Sequence, residues 1–508
     1  MSSDEVNDGT GGAAGIAGAA GDLKGNASRS ASANGAGAAE GAASAMGGFR
    51  FLFRALRHRN YRLFFGGQGV SLIGTWMQGT ALGYLISELA GSERAASFWC
   101  AFIPAVGQLP TFLLPMFAGA LADRYSRRRI LLITQSLAAV QALILACLTF
   151  TEVVSIPQVL ALAIFIGLVN SFDIPTRQSF TVEMVEDRAD LGNAIALNST
   201  LVNSARIFGP AIGGVLIAAI GEASCFFVNS LSYMAVLAAL VAMKVRPRET
   251  PPPAGHVLHN IKEGFRYATG SRPIRTVLML IATVSFMGVS YGTLMPVIAK
   301  QYLHSDSRGL GMLLSSVGVG AICGAAFLAS RGSVRGIKNM IAIATAVFGS
   351  GLLAFSAAAA RGSLWLSMMM LAVAGFGFIV MMSASNTFIQ TIVDDDKRGR
   401  VMSFWTMSFA GMVPLGSFYT SAVAPHIGPV WTTAIGGVAC LLAAGVFATQ
   451  LPLLRRMTHP IYIRKGLIPD VALAGASLPP EEAGEPVQTP GAANGFPRAD
   501  GNGAGERK

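Results

Sequence analysis

Between Tyr61 and Pro452 the chain carries one apolar stretch after another, each of about 20 residues or more and so long enough to cross a hydrocarbon layer roughly 30 Å thick. A water-soluble fold is excluded, because 52 % of the 508 residues are hydrophobic and only 13 % are charged, against roughly 25 % charged in soluble domains. Twelve spans are read, at 62–88, 96–121, 130–150, 157–180, 193–220, 223–244, 275–300, 309–330, 338–360, 363–391, 402–424 and 429–452. The expected fold class is an all-α membrane protein of twelve transmembrane helices in two six-helix pseudo-symmetric halves.

Orientation follows from the basic residues, since Lys and Arg in short loops resist translocation. With the N-terminus in the cytoplasm, only Arg94, Lys300, Arg308 and Arg361 fall in outer loops, and both termini are then cytoplasmic. The formal charge of +11 is thus read as topology; the cations lie in short clusters between apolar runs, so no nucleic-acid partner is expected. The one long loop, 245–274, holds Pro251-Pro252-Pro253, four arginines and Lys262, and divides the spans six and six. It is read as a cytoplasmic linker between an N-terminal half, 49–244, and a C-terminal half, 275–455. An offset of 207 residues supports a duplicated half: Leu121-Ala122-Asp123-Arg124 aligns with Leu328-Ala329-Ser330-Arg331, and Gly192 and Gly209 align with Gly399 and Gly416. The small, polar composition of 1–48 and 456–508 predicts largely disordered cytoplasmic tails, and 1–48 lacks the basic start and Leu-rich core of a signal peptide. Cys100, Cys147, Cys225, Cys323 and Cys440 are too far apart for a disulfide framework or a metal site, and no cofactor is expected.

Three local patterns carry chemistry. Gly119-Ala120-Leu121-Ala122-Asp123-Arg124-Tyr125-Ser126-Arg127-Arg128-Arg129 closes the second span, and it resembles motif A of the major facilitator superfamily, with Ser126 where glycine is usual. The resemblance implies a cytoplasmic gate made by Gly119, Asp123, Arg124, Arg127 and Arg128, with Asp123 set against the N-terminus of the eleventh span at Gly399-Arg400-Val401. A carboxylate gains there from exposed N–H groups and the helix dipole. The other reading makes the arginines positive-inside anchors, which leaves Asp123 unexplained. The fifth span carries Ala205-Arg206-Ile207-Phe208-Gly209-Pro210-Ala211-Ile212-Gly213-Gly214, which resembles the antiporter motif of facilitator exporters. Gly209, Pro210, Gly213 and Gly214 read either as that motif or as ordinary small-residue packing. The fourth span ends in Asp173, Pro175 and Arg177; Asp173 and Arg177 share a helix face and pair as an inner gate or a static surface pair, and Asp173 is a candidate proton carrier.

Arg206 lies near mid-membrane, where a charge costs on the order of 2.5 to 3.5 kcal/mol. It is read as an anion-binding or coupling residue, or as one half of a structural pair. Gln68, Gln78, Asn203 and Asn386 line a cavity or join helices, and Met381, Met382, Phe404, Trp405, Met407 and Phe409 suit either an adaptable pocket or core packing.

Together with Arg59-Asn60-Tyr61-Arg62-Leu63-Phe64 and Asn203-x-x-Arg206-x-x-Gly209-Pro210, these patterns resemble the enterobactin-exporter-like, transmembrane secretion effector branch of that superfamily. The resemblance implies a proton-coupled exporter of an amphiphilic small molecule, a siderophore or a drug, working as a monomer in the cell inner membrane. A lysophospholipid facilitator without proton coupling and a non-transporting scaffold or sensor are the rival readings. No phosphate-cradling loop and no Ser-His-Asp or paired-carboxylate constellation points to an enzyme.

Overall fold

The computed structural model describes residues 54–114, 125–185, 187–244, 266, 270–331, 336–394 and 397–464. Long helices account for nearly all of them: α1 (Arg59–Leu89), α2 (Glu93–Leu113), α3 (Arg127–Phe150), α4 (Ile156–Met184), α5 (Leu191–Ala242), α6 (Arg272–Tyr302), α7 (Ser307–Ala329), α8 (Ile337–Ala360), α9 (Leu364–Ile392), α10 (Arg398–Ile427) and α11 (Pro429–Arg464). Among the described residues ten of these, α2 to α11, are long and apolar enough to cross a membrane. α1 has the length, but Gln68, Gln78 and its Gly, Ser and Thr dilute its hydropathy. Side chains on the outside of the bundle are apolar, as a lipid-facing surface requires: Trp365, Leu442 and Val446 are 74 %, 66 % and 64 % exposed.

Local chemistry sets the helix starts. Ser92 accepts the Ala95 N–H at 3.3 Å and Asp306 accepts the Gly309 N–H at 3.2 Å, each filling an orphan donor of a first turn. Ser155 and Gln158 form a capping box at the start of α4, with a proline in its first turn. The two spans expected at 193–220 and 223–244 form one 52-residue helix, α5, broken only at Gly221, where φ is +80° and ψ is 169°. Glycine alone takes that conformation cheaply. The break doubles α5 back: Cys225 Sγ returns to 3.9 Å from the Gly213 carbonyl, and Gly213 and Asn229, on either side of it, both face α1.

α6 is the least regular helix. Wide π turns at Val284–Gly288 and Ile298–Tyr302 interrupt it, and a third lies in α10 at Met407–Gly411. Such turns release i→i−4 bonds and cluster at functional positions. Apolar clusters among the described residues fill the bundle, three of them large. One joins Tyr61, Phe64, Phe180, Met184 and Leu240; a second joins Met77, Ile86, Ile103 and Phe226 to Val297 of α6; a third joins Leu294, Leu310, Phe355 and Leu371. The compact unit ends at Arg455, within α11.

Candidate functional site

The side chains singled out from the sequence fall at three levels. At the end where α1 starts, Gly119, Asp123 and Arg124 lie outside the described residues, but the arginines that follow them are placed. Arg127 pairs with Glu183 of α4 at 2.6 Å, and Arg128 donates to the Leu240 and Val241 carbonyls at 2.7 and 2.8 Å. Arg128 thereby caps the C-terminus of α5, where carbonyls lack helical partners and a cation meets the negative end of the dipole. Asp173 and Arg177 pair at 3.0 Å, and Asp173 also accepts Thr134 Oγ1 at 2.9 Å and Gln135 Nε2 at 2.7 Å, both from α3. Asp173 is 3 % exposed, and three donors balance its buried charge.

The strongest charge cluster at this level escaped sequence reasoning. Asp190, fully buried just ahead of α5, is held by Arg54 at 2.6 Å, Arg57 at 2.8 Å and His58 Nε2 at 2.9 Å. Asn193 Oδ1 accepts the Ala55 N–H at 2.9 Å, and Tyr61 donates to the Ala194 carbonyl at 2.7 Å. Burial alone raises a carboxyl pKa; here the hydrogen bond from His58 and the charges of Arg54 and Arg57 overcome it and hold Asp190 below the ordinary carboxylate range. Arg54, Arg57 and His58 read in the sequence only as generic positive flank, because their partner lies more than a hundred residues away.

At mid-span, Gly209 and Gly213 press α5 onto α1. A Cβ on Gly209 would collide with Trp76 Cβ, and one on Gly213 would sit 3.3 Å from the Met77 backbone. That approach lays the Trp76 ring 5.2 Å from the Arg206 guanidinium carbon. Among the described residues Arg206 has no carboxylate partner, and its buried Nε lacks an acceptor. On its other face α5 meets α7: a Cβ on Gly214 would lie 2.5 Å from the Ser307 carbonyl, and Gly311 stands 2.7 Å from the Pro210 carbonyl on the same measure.

The neutral polar residues are dispersed. Gln78 accepts from Asn229 at 2.6 Å and donates to Gln141 at 3.3 Å, tying α1, α5 and α3 together. Gln68 is buried, and its Oε1 has no partner among the described residues. Asn203 is exposed and bonds the Ser199 carbonyl of its own helix at 2.9 Å, while Asn386 accepts from Gln390. Met381 and Met382 are buried in the core; Trp405 and Phe409 are half-buried, and Phe409 rests on Phe378 with centroids 6.0 Å apart.

The opposite end, where α1 finishes, is cross-linked between α1–α2 and α6. Lys300 Nζ reaches Glu88 at 3.2 Å and lies 5.6 Å over the Tyr84 ring; Tyr302 donates to Glu93 at 2.7 Å. Gly428, with φ +87°, brings the turn between α10 and α11 against the same pair, 3.1 Å from Tyr302 Oη on the Cβ measure. Apolar contacts continue inward through Pro296 against Gly83 and Phe102 against Phe418 at 5.7 Å. The sequence marks Lys300 as a cation between spans, but no local pattern marks its partners.

This arrangement can be set beside known proteins. The family described as transmembrane secretion effector matches residues 52–462. The staphyloferrin A transporter of Staphylococcus aureus is 25 % identical over 390 residues, covering 76 % of this chain and 95 % of that protein. The multidrug efflux pump Tap of Mycobacterium tuberculosis is 25 % identical over 405 residues, 77 % and 91 % of the two chains. The enterobactin exporter EntS of Citrobacter koseri is 23 % identical over 349 residues, 68 % and 81 %. In fold the chain is similar to the POT family transporter PepTSo, with a TM-score of 0.60 at 13 % identity over 78 % of this chain and 99 % of that one. These relatives are transporters rather than enzymes. With the match running from before α1 to the last turn of α11, the chain is a multi-pass membrane protein that belongs to the transmembrane secretion effector family of the major facilitator superfamily.

Proposed function

We propose that this protein exports an amphiphilic small molecule, a siderophore or a drug, by alternating access in exchange for protons. α1 to α4, the two limbs of α5 and α6 to α11 make twelve crossings of the cell inner membrane. They form halves at 49–244 and 275–455, joined by the linker 245–274, with both ends of the chain cytoplasmic and the monomer as the working unit.

The observation that carries this reading is the outer cross-link. Lys300 with Glu88 and Tyr302 with Glu93 tie α6 to α1 and α2 at the end where α1 finishes, through groups that can part without leaving a buried charge: the side chains of Lys300 and Glu88 are 39 % and 42 % exposed. A scaffold has no use for so weak a latch, whereas a rocking carrier needs one that opens at low cost. The opposing latch is Asp123 with Arg124 against the start of α10. Asp173, whose carboxylate takes two of its donors from α3, is the coupling residue.

The test compares small molecules inside and outside cells that lack or overproduce the protein, under iron-replete and iron-starved growth. Expected is a compound retained by the deletion strain and released on complementation. An unchanged exported set in both conditions would contradict export.

A further inference from the structure

Arg206 is a buried charge that this mechanism leaves unused. Arg206 is held beneath Trp76, where the glycine at 209 lets α1 approach, and its Nε is buried without an acceptor. A guanidinium can neither lose its proton nor accept a hydrogen bond, so the site lacks an anion. On the C-terminal helices aromatic rings follow one another: Tyr291 to Phe348 at 6.4 Å, Phe348 to Phe378 at 5.4 Å, Phe378 to Phe409 at 6.0 Å and Phe409 to Trp405 at 6.5 Å. Phe348 is packed away, but Tyr291, Phe378, Phe409 and Trp405 are each half-buried and keep a free edge. The Trp405 indole N–H at the far end is a second buried donor without an acceptor among the described residues. The wide turns of α6 and α10 lie at both ends of this row, bracketing Tyr291 and containing Phe409. Two orphan donors and no orphan carboxylate describe a surface that wants an acceptor-rich, negatively charged guest with an aromatic or apolar body.

We infer that Arg206 and Trp76 form the binding point for a carboxylate on the transported molecule, whose apolar body lies along the Tyr291–Phe378–Phe409–Trp405 edge. The inference rests on the exporter reading and narrows it: anionic amphiphiles are cargo, and their neutral or cationic counterparts are poor cargo. The guanidinium fork receives the carboxylate through two parallel N–H bonds, and the Trp76 face fixes the plane of the fork. Leaving such a charge near mid-span without a guest is costly, which also favours anion-loaded over empty passage through the closed state.

The test uses the full-length protein in lipid nanodiscs with two probes that share one body, dansyl-glutamate and its neutral dimethyl ester, read by energy transfer from tryptophan. The wild type is expected to bind the acid about tenfold to a hundredfold more tightly than the ester, the worth of a hydrogen-bonded charge pair. Arg206→Gln should bring that ratio to about one, and Arg206→Lys should leave it between the two. Equal binding of acid and ester by the wild type, or no binding of the acid, overturns the proposal without reference to any variant. If Arg206→Gln does not fold, Trp76→Phe should lower the ratio by weakening acid binding more than ester binding. Cells with Arg206→Gln that still release the compound retained by a deletion strain would overturn the anion site and leave export standing. A deletion strain that retains nothing would contradict export, and the probe ratio would then stand or fall by itself.

Discussion

Gly214→Ala is the smallest change that tests whether the α5–α7 seam is as tight as the geometry says. An added Cβ would lie 2.5 Å from the Ser307 carbonyl and 2.9 Å from Gly311 Cα, where ordinary contact begins at 3.4 Å, so the backbones must part by up to about 0.9 Å. Neither neighbour is a flexible side chain that can swing away. The separation also strains the 3.2 Å bond that Ser307 Oγ donates to the Gly214 carbonyl. Overpacking of this kind costs about 1–3 kcal/mol, and the strained hydrogen bond adds about 0.5–1.5 kcal/mol. The assay is thermal unfolding of the purified protein in detergent beside Gly79→Ala, whose Cβ meets nothing within 4 Å. The Gly79 variant should be neutral or gain up to about 1 kcal/mol from the better helix former. Wild-type melting and wild-type flux in Gly214→Ala would show that the two helices do not meet backbone to backbone, and the seam argument would fail.

Three further outcomes follow from named contacts. The double variant Glu88→Gln, Tyr302→Phe removes both links proposed to close the outer end; because the Lys300 pair is partly exposed, the expected cost is about 0.5–2 kcal/mol, and Gly292→Cys, in a background with the five native cysteines replaced, should react faster with an impermeant thiol reagent added outside. No change in that rate would mean the links do not hold the outer end closed. Asp190 titrates below the ordinary carboxylate value of about 3.9, so its contribution is complete above that value and is lost as the pH falls through the lower, folded-state pKa. Asp190→Asn should therefore flatten the acid limb of the stability curve below about pH 4, and an unchanged limb would remove Asp190 from the account. Asp173→Asn keeps the shape of the side chain but not its charge, and the dependence of flux on the pH gradient should vanish; persistence of that dependence would assign coupling elsewhere.

Span positions were legible because hydropathy runs report length directly: the expected 337-region span, 338–360, is α8 at Ile337–Ala360, and 363–391 is α9 at Leu364–Ile392. The reversal at Gly221 was legible only as a gap between two spans, since a single left-handed residue leaves no hydropathy trace. Local pairs four residues apart, such as Asp173 with Arg177, could be read from spacing. Long-range pairs could not: Asp190 with Arg54 and Lys300 with Glu88 depend on which helix ends meet, a tertiary fact that no local pattern encodes. Gln78 shows the same limit from the other side. Its amide could serve a cavity or a seam, and only the positions of Asn229 and Gln141 reveal what it touches. Arg206 was recognisable as costly from the sequence, but the tryptophan above it and the missing acceptor for its Nε were not.

The most direct test of the central claim is the efflux rate of the compound that a deletion strain retains, measured from loaded cells before and after the transmembrane pH gradient is collapsed. The account predicts fast efflux in complemented cells that falls to the deletion rate when the gradient is lost, with Arg206→Gln slow under both conditions. Efflux that is equally fast with and without the gradient, in wild type and variant alike, would contradict it.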